Sequence, residues 1–151
     1  MKPLAQAAAG LAGATAVTLI NETVRRYVSD APRMDLLGER GVKMIARGLH
    51  APEPADQTAH EIALAGDIAL NTAYYALVGT GRKAWLRGAI LGAMAGLGAV
   101  ILPPHLGLGR DASQRTNRTK LMTFGYYFTG GLVAAGVAQL FAATKSVDAR
   151  S

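Results

Sequence analysis

Long, mostly apolar stretches dominate the pattern of hydrophobic and polar positions in this chain. They cover residues 3–20, 62–78, 85–102 and 121–143, and each contains 17 to 23 residues. An α-helix needs about 20 mostly apolar residues to cross the hydrocarbon of a bilayer, whereas apolar runs of about 10–14 residues are more typical of buried soluble helices. The pattern therefore predicts an all-α protein, with residues 1–151 forming one integral membrane domain, a four-helix transmembrane bundle.

Composition favours lipid over water as the solvent of these helices. Only 17% of the residues are charged, against about 25% in a typical soluble domain. Glycine contributes 18 residues, and glycine weakens a helix in water but allows helices to pack closely in a membrane. A soluble bundle of unusually apolar helices is the less favoured alternative. The absence of cysteine excludes disulfides, cysteine nucleophiles and cysteine-ligated metals.

The ends of the stretches contain local signals. Ala14-Thr15-Ala16 resembles a signal-peptidase site, but the apolar run continues past it, so a spanning helix is favoured over a cleaved signal peptide. Thr58 and Glu61 match a capping box, which predicts that the second helix starts near Ala59. Pro103-Pro104 predicts that the third helix ends at Leu102, because proline interrupts helices.

Residues 33–50 have the 3.6-residue periodicity of an amphipathic helix. We expect this helix to lie on the cytoplasmic leaflet and to bind anionic headgroups through its basic face. The headgroup-binding residues would be Arg33, Arg40, Lys43 and Arg47. Two alternatives stay open, a helix that covers the cytoplasmic mouth of the bundle and a helix that docks a partner.

The distribution of basic residues predicts an orientation. Residues 21–61 and 103–120 would share one side of the membrane, and they contain 10 of the 16 Lys and Arg residues. The positive-inside rule then places these two loops in the cytoplasm and both termini outside. The net charge of +6 is explained by these flanking residues, so we do not expect nucleic-acid binding.

Glycines four residues apart predict close helix packing. Gly88, Gly92 and Gly96 share one face of the third span, and Gly131 and Ala135 offer a similar face on the fourth. Such faces allow two helix backbones to approach closely. The partner would be another helix of the same chain, a second copy in a homo-oligomer, or a subunit of a larger membrane complex.

Asp67 and Asn71 are the candidate intramembrane polar site. They lie four residues apart, on one face of the second span. A central aspartate costs about 2.5–3.5 kcal/mol on insertion scales, which roughly cancels six strong apolar residues that contribute about 0.3–0.6 kcal/mol each. Asp67 should therefore face the bundle interior, level with Thr15 and with Tyr126 or Tyr127, whose hydroxyls could donate to it.

Two roles for Asp67 are open. Intramembrane acids often mark a proton, ion or ligand site, but a structural hydrogen bond that holds the bundle together is the favoured interpretation. The three histidines lack paired metal-ligand spacing, so no metal or cofactor is predicted. Glu22, His60 and Glu61 could serve a membrane enzyme that acts on lipid, although no nucleophile motif supports enzymatic activity.

The stretch Asn21-Glu-Thr-Val-Arg-Arg, followed by Asp30-Ala-Pro-Arg-Met-Asp-Leu-Leu-Gly38, resembles a motif of small, uncharacterised bacterial multi-pass inner-membrane proteins. The resemblance implies a bacterial inner-membrane location and no particular activity. The leading functional hypothesis is a non-enzymatic accessory or scaffold subunit that packs through its glycine faces. The alternative is a small transporter or proton- or ion-conducting protein built around Asp67 and Asn71, which requires a cavity at Asp67 that water can reach.

Overall fold

The computed structural model describes residues 2–148, and every regular element in that range is an α-helix. The elements are α1 (Lys2–Tyr27), α2 (Met34–Gly48), α3 (Asp56–Ala76), α4 (Ala84–His105), α5 (Asp111–Gln114) and α6 (Asn117–Asp148). The prediction of an all-helical protein is confirmed. Both ends of the predicted domain 1–151, with the basic residue Arg150, lie outside the described residues.

Three helices are long and apolar enough to cross a membrane. They are Pro3–Tyr27, Ala84–His105 and Asn117–Thr144, and their length and composition are compatible with a membrane protein. The predicted span 62–78 is not among them. Its helix, α3, includes Asp67 and Asn71, and such polar residues lower the mean hydropathy of the segment. The four-span prediction is therefore supported for three of its helices.

The four long helices run alternately up and down. The α1–α2 connection lies beside the start of α6, where Thr119 Oγ1 donates to the Asp30 carbonyl oxygen over 2.8 Å. The α3–α4 loop lies at the opposite end, where Gln139 Nε2 donates to the Gly81 carbonyl oxygen over 2.7 Å. We call these the α2 end and the α3–α4 loop end.

Helix α6 is central, because it packs against both α4 and α1. Helix α3 packs on another side of α1, and α2 packs on α3. The two helices α3 and α4 do not pack against each other along their length, although they are consecutive in the chain. This arrangement leaves a gap between α3 and α4, and helices α1 and α6 form the base of that gap.

Glycine brings the backbones of α4 and α6 together. Gly88, Gly92 and Gly96 are all buried against α6. A Cβ atom added at Gly92 would lie 2.9 Å from both Cα and the carbonyl oxygen of Phe128, and one added at Gly88 would meet the carbonyl oxygen of Gly131 and, at 2.8 Å, Cβ of Ala135. The glycine faces thus pack against a helix of the same chain.

Two predicted helix boundaries are wrong. Helix α3 begins at Asp56 after the N-cap residue Ala55, with no side-chain cap bond, so Thr58 and Glu61 lie inside the helix. Helix α4 continues through Pro103 and Pro104 to His105. Proline has no N–H to donate to the fourth residue before it, and here the Gln114 side chain donates to the carbonyl oxygen of Val100, which Pro104 leaves without a helical partner.

Candidate functional site: a cavity between α3 and α4

The gap between α3 and α4 is a cavity of about 770 Å³. Its walls are mostly apolar, with Leu64 and Leu70 on α3 and Met94 and Leu102 on α4. Leu37 of α2 covers it at the α2 end. The volume lies within the roughly 300–1,000 Å³ that is usual for small-molecule sites.

Asp67 and Asn71 line this cavity together. The Asn71 side-chain amide donates to Asp67 Oδ1 over 2.9 Å. Because the residues are four apart in α3, one helical turn places them one above the other on the same face. The two residues of the candidate polar site therefore lie together beside one cavity.

Helix α1 adds two polar residues to the cavity that the sequence analysis did not assign to a site, Thr18 and Asn21. Only 8% of the Asn21 surface is exposed, and neither Asn21 Oδ1 nor Thr18 Oγ1 has a hydrogen-bond partner. Their spacing of three residues places them on one face of α1. That spacing is the feature of the sequence that could have identified the two residues as neighbours in a site.

Among the described residues, none of the three hydroxyl groups expected near Asp67 forms a hydrogen bond with it. Thr15 is exposed on α1 and does not line the cavity. Tyr126 is buried, and its hydroxyl has no partner. Tyr127 lines the cavity, and its carbonyl oxygen accepts a 2.7 Å hydrogen bond from the buried hydroxyl of Tyr75. The hydrogen bond to Asp67 comes instead from Asn71, on its own helix.

A tyrosine hydrogen bond connects α3 to α4 near their loop. Tyr74 lines the cavity, and its hydroxyl donates to the carbonyl oxygen of Leu91 over 2.9 Å. Tyr74 and Met94 are the residues of α3 and α4 that line the cavity closest to the α3–α4 loop end. The cavity therefore ends at this bond and extends from there toward the α2 end.

Several ion pairs involve helix α2 and the residue that precedes it. The four basic residues predicted to bind headgroups each pair with an acidic side chain of the chain itself. The pairs are Arg33–Asp35 at 2.8 Å, Arg40–Asp111 at 2.7 Å, Lys43–Asp56, and Arg47–Glu53 at 3.2 Å. These pairs attach α2 to the segments before and after it, and they reduce the charge available to lipid.

Two of these carboxyl groups have lowered pKa values. The hydrogen bonds from Arg40 lower the pKa of Asp111 to about 2. Burial acts to raise the pKa of Asp35, but the hydrogen bonds and charge of Arg33, together with the charge of Arg25, outweigh burial and hold that pKa below its ordinary value. Both carboxylates are therefore ionised near neutral pH.

Helix α2 has two parts with different surroundings. In its first half Leu37 is buried, and Gly38 lies so close to Ala63 of α3 that a Cβ atom would be 2.8 Å from the alanine side chain. In its second half the apolar residue Ile45 is exposed, as is Leu49 directly after the helix. The first half thus covers the bundle, and the second half presents an apolar surface as an interfacial helix would.

The residues considered for lipid chemistry do not converge. Glu22 lines the cavity but forms a 2.6 Å ion pair with Arg25. His60 also lines it, with Nδ1 2.9 Å from Glu39 Oε1, whereas Glu61 is exposed and outside the cavity. Within residues 2–148 no three His, Asp or Glu side chains are grouped so that they could hold a metal ion. The arrangement can accept hydrogen bonds from a ligand, and it offers no activated nucleophile.

Comparison with protein-family models, curated proteins and solved structures finds no match for this chain. The resemblance of residues 21–38 to small bacterial inner-membrane proteins stays a prediction. We therefore infer a function from the cavity and from the residues around it.

Proposed function

We propose that this protein crosses the membrane with four helices, α1, α3, α4 and α6, and that it binds a small amphipathic molecule in the cavity between α3 and α4. The observation on which this function rests is the cavity itself, which has apolar walls and polar groups around Asp67. Its size and its lining fit a molecule with a hydrocarbon body and a polar group.

The surface of α3 supports a fourth span despite its lower hydropathy. Every exposed residue between positions 62 and 77 is apolar, and these are Ile62, Leu64, Ala65, Ala69, Leu70, Ala73 and Leu77. None of the polar residues in that range is exposed. An apolar exterior with a polar interior is the reverse of a helix in water, and it fits a helix with lipid outside and a cavity inside.

The cavity opens sideways, because α3 and α4 are apart over most of their length. Leu70 lines it and yet 75% of its surface is exposed, and Leu102 on the opposite wall is also exposed. A molecule dissolved in the bilayer could therefore enter between the two helices without leaving the hydrocarbon. This entry route favours an amphiphile over a water-soluble solute.

A scaffold or accessory role without enzymatic activity is less well supported. That hypothesis requires the glycine faces of α4 and α6 to be docking surfaces for a partner. Gly88, Gly92 and Gly96 instead pack against α6 of the same chain. Assembly into a homo-oligomer or a larger complex would have to use the outer apolar faces of the helices, where a membrane protein also contacts lipid.

Transport is the second candidate function, and the tyrosine bond favours it. The cavity ends at the hydrogen bond from Tyr74 to the Leu91 carbonyl oxygen. A bound molecule would need that bond to break before it could leave toward the α3–α4 loop end. Binding in the cavity would then be the first step of transport.

The membrane we propose is a bacterial inner membrane with the α2 end in the cytoplasm and both termini outside. The α2 end contains most of the basic residues, as the positive-inside rule requires. Four exposed basic residues there have no ion pair among the described residues, and they are Arg26, Arg110, Arg118 and Lys120. These residues would bind anionic headgroups more readily than the paired ones on α2.

A cavity-filling substitution tests the binding function. A Cβ atom at Gly98, which lines the cavity, would have only Leu102 Cδ1 nearby, at 3.5 Å, so the ring in Gly98→Phe would occupy the cavity. Each variant is purified in mild detergent, and bound small molecules are counted by native mass spectrometry. We expect the unmodified protein to retain a molecule at near-stoichiometric amounts and Gly98→Phe to lose it.

The matched control is Gly125→Phe. Gly125 also has open space at Cβ, with nothing within 4 Å, but it does not line the cavity. This variant should retain the molecule. An unmodified protein that carries no small molecule, or a Gly98→Phe variant that carries as much as the unmodified protein, would contradict the proposed function.

A further inference from the structure

Asp67 differs from the other acidic residues of the cavity in having no cationic partner. Glu22 and Asp35 also line the cavity, and each forms an ion pair with arginine. Asp67 is absent from the ion pairs of the described residues, and its only hydrogen-bond partner is the neutral amide of Asn71. Among the described acidic residues Glu61 also lacks a cationic partner. Glu61, however, is exposed on α3 and does not line the cavity.

Two polar side-chain atoms of α1 beside the Asp67 half of the cavity have no hydrogen-bond partner among the described residues. Asn21 lines the cavity with more than nine-tenths of its surface buried, and its Oδ1 is one of these atoms. Thr18 Oγ1 is buried and also without a partner. Helix α1 runs antiparallel to α3 with Gly10 against Thr72 and Ala76, a register that places Thr18 and Asn21 beside the Asp67 half of α3.

A buried acceptor without a donor is unfavourable, and a buried carboxylate without a cation is more so. The polar part of the cavity therefore lacks a group that has both positive charge and N–H donors. The remaining walls are apolar, with Leu64, Leu70 and Met94 among them. The missing group must consequently be attached to a hydrocarbon body that these walls can contact.

We propose that the ligand is an amphipathic amine, whose ammonium group donates to Asp67 and Asn21 while its hydrocarbon part lies between α3 and α4. This inference rests on the proposed function, because it requires that the cavity binds a small molecule. A lone metal cation fits less well, since no three His, Asp or Glu side chains within residues 2–148 are grouped to hold one and most of the cavity would stay unfilled.

Dodecylamine is the probe, with the protein in nanodiscs of zwitterionic lipid. Binding of labelled dodecylamine is measured by equilibrium dialysis and corrected with empty nanodiscs. We expect Asp67→Asn to weaken binding about tenfold or more, because a charge-assisted hydrogen bond is lost. Glu61→Gln removes an acidic group from the same helix outside the cavity, and it should leave the affinity within about twofold.

Competition on the unmodified protein gives a second measurement that requires no variant to fold. Unlabelled 1-dodecanol has the same chain but no charge, and it should compete at least about tenfold less well than unlabelled dodecylamine. Equal competition by the alcohol, or unchanged amine binding in folded Asp67→Asn, overturns the amine assignment. The proposed function survives that result if Gly98→Phe still abolishes retention of a small molecule, and it fails separately if Gly98→Phe has no effect.

Discussion

Asp67 and Asn71 lie four residues apart, which places them on one face of α3, and both line the cavity. The polar residues of α1 that share the cavity could not be identified in the same way. Small residues cover all sides of α1, so its pattern does not specify which side faces α3. The structure therefore brings Thr18 and Asn21 to the cavity, and it leaves Thr15 exposed.

The Arg40–Asp111 ion pair should make stability depend on acidity. The pKa of Asp111 is lowered from an ordinary value of 3.8 to about 2, so its stabilising effect is complete above pH 3.8 and is lost as the pH falls through about 2. The pair is largely exposed, so the loss should be below about 1 kcal/mol. Thermal unfolding in detergent at pH 5 and pH 2 measures it.

The matched variants for this prediction are Asp111→Asn and Glu61→Gln. Asp111→Asn should have a smaller loss of stability between pH 5 and pH 2 than the unmodified protein, because the titrating group is gone. Glu61→Gln, which removes an acid that has no cationic partner, should keep the full loss. Identical pH dependence in Asp111→Asn and the unmodified protein would show that this pair does not contribute.

At the scale of elements, the sequence located the helices better than their ends. The predicted span 3–20 corresponds to the longer helix Lys2–Tyr27, and the predicted span 121–143 corresponds to the longer helix Asn117–Asp148. Hydropathy marks the part of a helix that lipid surrounds, whereas backbone hydrogen bonds continue through polar residues beyond it. The polar turn of α1 is also stabilised by the Arg25–Glu22 pair at 2.6 Å. The short helix α5 had no periodic signal, because four residues are too few to show one.

Helix α3 shows why hydropathy alone cannot settle the number of spans. Its mean is lowered by polar residues that face the cavity, such as Asp67 and Asn71, while its exposed residues between 62 and 77 are apolar. An average over the sequence gives both faces equal weight, although in the proposed four-span topology lipid would contact only one. The direction of each side chain becomes known only when the neighbouring helices are in place.

Adding a single methyl group at the α4–α6 contact should lower the stability of the protein. A Cβ atom in Gly92→Ala would lie 2.9 Å from Phe128 Cα and 3.0 Å from the Tyr127 carbonyl oxygen, both of which are backbone atoms that cannot rotate away. Overpacking of this kind costs about 1–3 kcal/mol. We expect a correspondingly lower free energy of unfolding in detergent, measured by denaturant titration.

The comparison for Gly92→Ala is Gly125→Ala on α6. Nothing lies within 4 Å of a Cβ atom at Gly125, so this substitution should be neutral or stabilise the helix by up to about 1 kcal/mol. If Gly92→Ala were as stable as Gly125→Ala, the backbones of α4 and α6 could not be as close as they are in this fold.

The spatial order of the helices in the molecule could not be predicted from their order along the chain. Consecutive elements usually lie side by side, and α3 and α4 are joined by a short loop. Yet α6 packs with both α4 and α1, and α3 packs with α1 and α2. Close glycine contacts of α6 with both α1 and α4 draw those three helices together. The cavity is the space that this packing leaves beside α3.

The proposal that α3 crosses the bilayer with its apolar face toward lipid is tested by a spin-label scan. The chain has no cysteine, so single cysteines at the exposed positions Ala65, Ala69 and Ala73 can be labelled without background. In bilayers, these labels should collide readily with oxygen and hardly at all with a water-soluble nickel complex, whereas exposed Gln57 should show the opposite. Equal access of the nickel complex to all four positions would place α3 in water and contradict the account.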